Sequence, residues 1–217
     1  MHPRARRRLI VGALAAGVVA AVLGGRLTDD GPVEGRPSAV DVGFAQDMIS
    51  HHQQAVTMSD TLAHQDNPRL RLLAEQIRSN QLMEIGQLQG LLMAWGEPLM
   101  GAAAPMEWMH EGPGRTGSHG SHPSHETTSP DETVMPGMAT QAKLNELNEL
   151  TGSAQATLFL RLMIRHHQGG VIMATDAAKR ASTPAVKEMA QRMAFVQVEE
   201  IDRMRRMLGD ESTPSAR

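Results

Sequence analysis

The chain has 217 residues, a formal net charge of -3 and a pI near 6.4, enough for one domain with extensions and without the basic field that nucleic acid binding needs. Cysteine is absent, which excludes disulfides, thiolate metal sites, a cysteine nucleophile and lipid attachment through an N-terminal cysteine. Aromatic residues are scarce, whereas methionine reaches sixteen, either as flexible core filler or as thioether ligands for a soft metal.

In chain order, Arg4, Arg6, Arg7 and Arg8 precede an uncharged apolar run over 9–25, closed by Arg26. Residues 1–27 therefore read as a signal peptide or membrane anchor. No small-x-small cleavage site follows, so a retained anchor over 9–25 is expected, with the basic flank inside and the remainder exported. A polar Gly/Pro linker occupies 28–37. Ser38 can cap a helix reaching about Gln65, and Asn67-Pro68 opens a second reaching about Trp95, closed by Gly96 and Pro98. Together these make a first helical hairpin over 38–98. Residues 99–138 form a linker rich in Gly, Pro, Ser, His and Met, and its 112–130 portion lacks any hydrophobic period. A second unit over 139–209 contains a short helix near Gln141–Leu150 and a long one from Ser153 to Ala181. Its last helix is opened by Thr183-Pro184, runs to Leu208 and is stopped by Gly209, leaving 210–217 as a tail.

The two hairpins are a repeat. FAQDMISHHQQAVTM at 44–58 and FLRLMIRHHQGGVIM at 159–173 share eight of fifteen residues. In the second helix of each hairpin, Ala74, Gln81, Glu84 and Ile85 match Ala190, Gln197, Glu200 and Ile201. Two hairpins with apolar stripes bury them best against each other, which predicts an all-α four-helix bundle with a pseudo-two-fold axis.

Each long helix interrupts its apolar stripe near its middle with polar groups: His51 and His52, Gln81 and Glu84, His166 and His167, Gln197 and Glu200. In antiparallel helices these positions lie at similar depth and can converge. Burying them costs several kcal/mol unless they are paired or bind a metal. One possibility is that Glu84 and Glu200 accept hydrogen bonds from the histidines and set the packing register. The other is that imidazoles and carboxylates hold one or two metal ions, with Gln81 and Gln197 supporting them. Adjacent histidines lie about 100° apart on a helix, so one of each pair is expected inward and its neighbour toward the flank or solvent. Met48, Met58, Met163 and Met173 share helical faces with the histidines, and a thioether–imidazole set suits Cu(I) better than Cu(II). Asp47 stands one turn before His51 and is a candidate to orient its ring.

The doubled M-I-x-H-H-Q-x(4)-M and Q-x-x-E-I patterns, with MPGMAT at 135–140, resemble the bacterial "domain of unknown function 305" family over about 38–208. The resemblance implies a ferritin-like bundle, export and a link to copper through His and Met. Residue by residue it points to Met48, His51, His52, Met58, Met163, His166, His167 and Met173, and to Met135 and Met138. His110, His119, His122 and His125 in the linker are further candidates for loose metal capture. The expected function is copper sequestration or delivery, with Cu(I) favoured, another transition metal open, and an unknown metal-transfer partner. A ferritin-like redox metalloenzyme and a metal-free structural or partner-binding bundle are the alternatives.

Overall fold

The computed structural model describes residues 36–110 and 135–211, and all regular structure among them is helical. The expected signal or anchor over 1–27 lies outside the described residues, as do most of the 28–37 linker and the centre of the 99–138 linker. Among the described residues no helix is long and apolar enough to cross a membrane.

The first helix, α1 (Ala39–Asp60), begins at Ser38, whose hydroxyl accepts from the Asp41 N–H while the Asp41 carboxylate accepts from the Ser38 N–H. This reciprocal box satisfies two donors that a helix start leaves open. Helix α1 stops five residues short of the Gln65 expected. Residues 61–65 turn off through Leu62 N–H to Ser59 C=O and Gln65 N–H to Leu62 C=O, both at 3.1 Å. The buried Gln65 side chain is then tied to Gly152 C=O and Gln155 Oε1, a tertiary demand that propensity does not register. Helix α2 (Pro68–Trp95) starts under the Asn67 side chain and ends at Gly96, which takes the left-handed φ of 73° a helix terminus favours.

A four-residue helix, α3 (Glu107–His110), follows and has no counterpart in the sequence reading. It exists because Trp108 is buried: its ring meets Phe44 edge-on at 5.7 Å, and its Nε1–H donates to Asp47 at 2.8 Å. Helix α4 (Gln141–Glu149) leads to α5 (Gly152–Arg180) and α6 (Pro184–Glu211), the last running past Gly209. A glycine lowers helix propensity but stops a helix only where the chain must turn.

Helix α1 packs on α2, α5 on α6, and α1 crosses to α5, so the two hairpins close a four-helix bundle. The core divides into two apolar clusters. One gathers Phe44, Met48, Leu88, Leu92, Met173, Val186 and Met193; the other gathers Met58, Leu62, Leu70, Ile77, Phe159, Met163 and Met204. Repeat-equivalent residues fall in opposite clusters, Met48 against Met163 and Met58 against Met173, as a two-fold axis through the bundle requires. Between the clusters lie the polar interruptions of the four stripes.

Candidate metal centre

Helix geometry and the rotation of each helix within the bundle together place the four histidines. Adjacent residues point about 100° apart. One of each pair therefore faces the other hairpin, and its neighbour faces the partner helix of its own hairpin. Both directions are interior in a four-helix bundle, and all four imidazoles are at most 1% exposed. This corrects the expectation that one histidine of each pair turns to the flank or solvent.

His51 and His166 meet across α1 and α5 with ring centroids 3.8 Å apart and planes 32° from parallel. His52 and His167 point into their own hairpins, where each Nε2 lies 2.7 Å from a carboxylate oxygen, of Glu84 and Glu200 respectively. His51 Nε2 lies 3.0 Å from the Pro136 carbonyl, and His166 Nε2 lies 2.9 Å from the His51 carbonyl. The Pro136 and His51 carbonyls only accept, so His51 and His166 donate to them through Nε2–H, and Nδ1 of His51, His52 and His167 is buried in the layer. Burial, reinforced by the neighbouring His52, lowers the His51 pKa to about 3. Burial also drives His166 well below the ordinary histidine value, with His51 and His167 adding to the effect. Both stacked rings are neutral at pH 7.

The layer is under-satisfied. Nδ1 of His51, His52 and His167, Oε1 of Gln81, and both amide atoms of Gln197 are buried without a hydrogen-bond partner among the described residues. An unpaired buried polar atom costs about 1–3 kcal/mol. Such atoms gathered at one depth need an ion, water or function to account for them.

The carboxylates are occupied otherwise. Glu84 and Glu200 bind the outer nitrogens of His52 and His167, and Glu200 also accepts from Asn80 Nδ2 at 2.8 Å. A carboxylate on one imidazole nitrogen fixes the ring's orientation and raises the basicity of the other, the usual arrangement behind a metal-bound histidine. Among the described residues no group of three or more His, Asp or Glu side chains is gathered as a ready cage for an ion. An ion at this depth would instead draw on imidazole Nδ1 together with amide or thioether donors. The donor set fits a borderline or soft transition metal and not Mg(II) or Ca(II).

Met48, Met58, Met163 and Met173 are fully buried in the clusters directly above and below this layer. Met135 and Met138 are half-buried, and His110 is exposed. His119, His122 and His125 lie outside the described residues. Asp47 does not orient His51: its carboxylate accepts from Met106 N–H at 2.7 Å and from Trp108, holding α3 in place. Sequence reasoning passed over Asn80, whose repeat counterpart is Val196, and the Pro136 carbonyl, which a side-chain inventory cannot register. Repeat two carries Gly169-Gly170 where repeat one has Gln54-Ala55, which leads one to expect half-sites that differ in backbone approach or affinity. A Cβ on Gly170 would lie 2.2 Å from Gln197 Oε1, so this glycine admits the Gln197 amide to the layer.

The profile of the domain of unknown function 305, DUF305, matches residues 41–208, which contain both hairpins and the whole layer. The chain belongs to the DUF305 family. Among solved structures, a DUF305 protein from Streptomyces coelicolor is 33% identical, covers 80% of this chain and 94% of its own, and superposes with a TM-score of 0.68. A DUF305 fragment from Deinococcus radiodurans is 29% identical, covers 81% of this chain and 99% of its own, with a TM-score of 0.63. CopM in its Cu(II)-bound form shares the fold at 24% identity, covering 78% of this chain and 96% of its own, with a TM-score of 0.56. No curated protein sequence matches the chain.

Proposed function

We propose that this DUF305 protein is an exported metal-binding protein whose cargo is copper, held for sequestration or delivery. The observation that carries the reading is the buried layer of four imidazoles, each held through Nε2, with Nδ1 of His51, His52 and His167 unpartnered. Glu84 and Glu200 act as orienting partners of His52 and His167. Met48, Met58, Met163 and Met173 border the layer and supply the soft donors that Cu(I) prefers. CopM, similar in fold, is described in Cu(I)-, Cu(II)- and Ag-bound forms, which is consistent with a soft or borderline ion. The arginine-flanked apolar run at 9–25 supports export, and the Streptomyces coelicolor relative is likewise inferred to be secreted. A di-iron redox site finds less support, because both acids of the layer are engaged with imidazoles.

The test is an anaerobic Cu(I) titration of the purified protein against a competing chelator, beside a variant with His51, His52, His166 and His167 changed to Ala. Tight stoichiometric binding in the wild type, abolished in the variant, is expected. A folded wild type that leaves Cu(I) on the chelator would sink the copper reading.

A further inference from the structure

The two repeats differ where α5 carries Gly169 and α1 carries Gln54. Both positions meet the same object, the strap of backbone from Met135 to Ala139. On the α5 side a Cβ at Gly169 would lie 1.9 Å from the Pro136 carbonyl oxygen and 2.8 Å from Gly137 N, so only glycine leaves the strap room. Gly137 repays the fit: it takes a left-handed φ of 78°, and a Cβ there would lie 2.3 Å from the Arg165 carbonyl. On the α1 side the Gln54 amide grips the strap twice, accepting from Ala139 N–H at 2.6 Å and donating to Ala139 C=O at 3.0 Å. Seated between these two fastenings, the Pro136 carbonyl takes the Nε2–H of His51. His166, the repeat counterpart of His51, has no strap and uses the His51 backbone carbonyl instead.

We infer that the Met135–Ala139 strap is a positioning element of the histidine layer: seated in the Gly169 notch and clamped by Gln54, it holds His51 with Nδ1 bare and makes the two repeats unequal. Pro136, Gly169 and Gln54 act only through His51. The ion-affinity consequence rests on the function proposed above; the effect on His51 does not.

The experiment reads the ion-free protein first. Long-range 1H–15N correlations of the imidazoles report which nitrogen of each ring is protonated. In the wild type, His51 shows a single Nε2–H form. In Gly169→Ala the strap is displaced, and the His51 signals shift toward the average of the two neutral tautomers. His52, His166 and His167 keep theirs, because Glu84, the His51 carbonyl and Glu200 are not part of the strap. Gln54→Ala produces the same shift without touching the α5 backbone and serves if Gly169→Ala does not fold. Losing an outer hydrogen-bond partner of a ligating histidine weakens metal affinity by about 10- to 100-fold, and a loss in that range is expected in the same Cu(I) competition. Unchanged His51 signals in a folded variant, with only a lower melting temperature, would reduce the strap to ordinary packing and overturn the inference. A wild type without Cu(I) affinity whose His51 signals still respond would keep the strap and remove the copper reading.

Discussion

At the scale of single residues, the layer is a set of polar atoms whose outer bonds are made and whose inner ones are not. Gly170 shows how tightly its geometry is drawn. A methyl at that position meets Gln197 Oε1 at 2.2 Å, so Gly170→Ala must drive the amide out of the layer and is expected to cost about 1–3 kcal/mol. Gln197→Ala removes the clash, so the double variant recovers most of that loss. Chemical denaturation of the two single variants and the pair measures the coupling, and strictly additive losses would refute it. Glu84 and Glu200 are distinguishable in the same way. Among the described residues only Glu200 is held a second time, by Asn80. Asn80→Ala is therefore expected to lower stability by about 1 kcal/mol while leaving the His52–Glu84 bond untouched, checked by denaturation with imidazole NMR.

At the scale of elements, the helix ends are joined by polar clasps at opposite ends of the bundle. Asp41, which the sequence reading used for nothing, caps α1 and simultaneously accepts from the N–H groups and hydroxyls of Ser182 and Thr183 at the α5–α6 turn. Gln155, at the start of α5, reaches Thr61 C=O and bonds with Gln65 at the α1–α2 turn, completing the pseudo-symmetric pair. Burial raises the Asp41 pKa, but hydrogen bonds from Ser38, Thr183 and Ser182 outweigh it and hold the carboxyl well below the usual carboxylate range. A carboxyl lowered on folding stabilises fully above its unfolded pKa of about 3.9 and loses that contribution as the pH falls further. His51 acts in the same direction from a higher pH. The unfolded chain takes up its proton below about 6.5 whereas the folded chain resists, so its share of stability also falls with acid. Asp41→Asn should therefore be less stable than wild type by about 2 kcal/mol near neutrality, with the gap closing only below about pH 4. Melting temperatures against pH for both proteins check this, and a gap that closes already near pH 6 would assign the clasp to another group.

At the scale of the whole molecule, the bundle places a polar sheet between two apolar clusters, and stability alone gives no reason for it. Breaking one buried pair is costly, whereas replacing both partners by apolar groups of similar volume is often neutral or stabilising by about 1–4 kcal/mol. His52→Leu with Glu84→Leu is accordingly expected to melt at or above the wild-type temperature and to bind Cu(I) less tightly. Glu84→Leu alone should melt lower, because the Nε2–H of His52 is then buried without an acceptor. Ions that bind only the folded state raise its melting temperature, so Cu(I) should stabilise the wild type and leave the double variant with a smaller shift. A double variant clearly less stable than either single one would show that the layer exists to hold the bundle together.

The sequence by itself determined the four long helices, the repeat and the depth at which polar groups interrupt the stripes. These are local facts: caps at Ser38 and Asn67, prolines at 68 and 184, and a hydrophobic spacing that survives in any context. The candidate residues His51, His52, His166, His167, Glu84 and Glu200 were legible for the same reason, being polar at core spacing. What each of them touches was decided only by the tertiary structure. Whether His51 faces Asp47 or the Pro136 carbonyl, and whether Glu84 reaches for an ion or for His52, depends on the rotation of each helix about its axis. It depends also on a strap that returns from more than eighty residues away in the chain. Helical periodicity sets which residues share a face; close packing between helices, with glycines where backbones must touch, sets what that face meets.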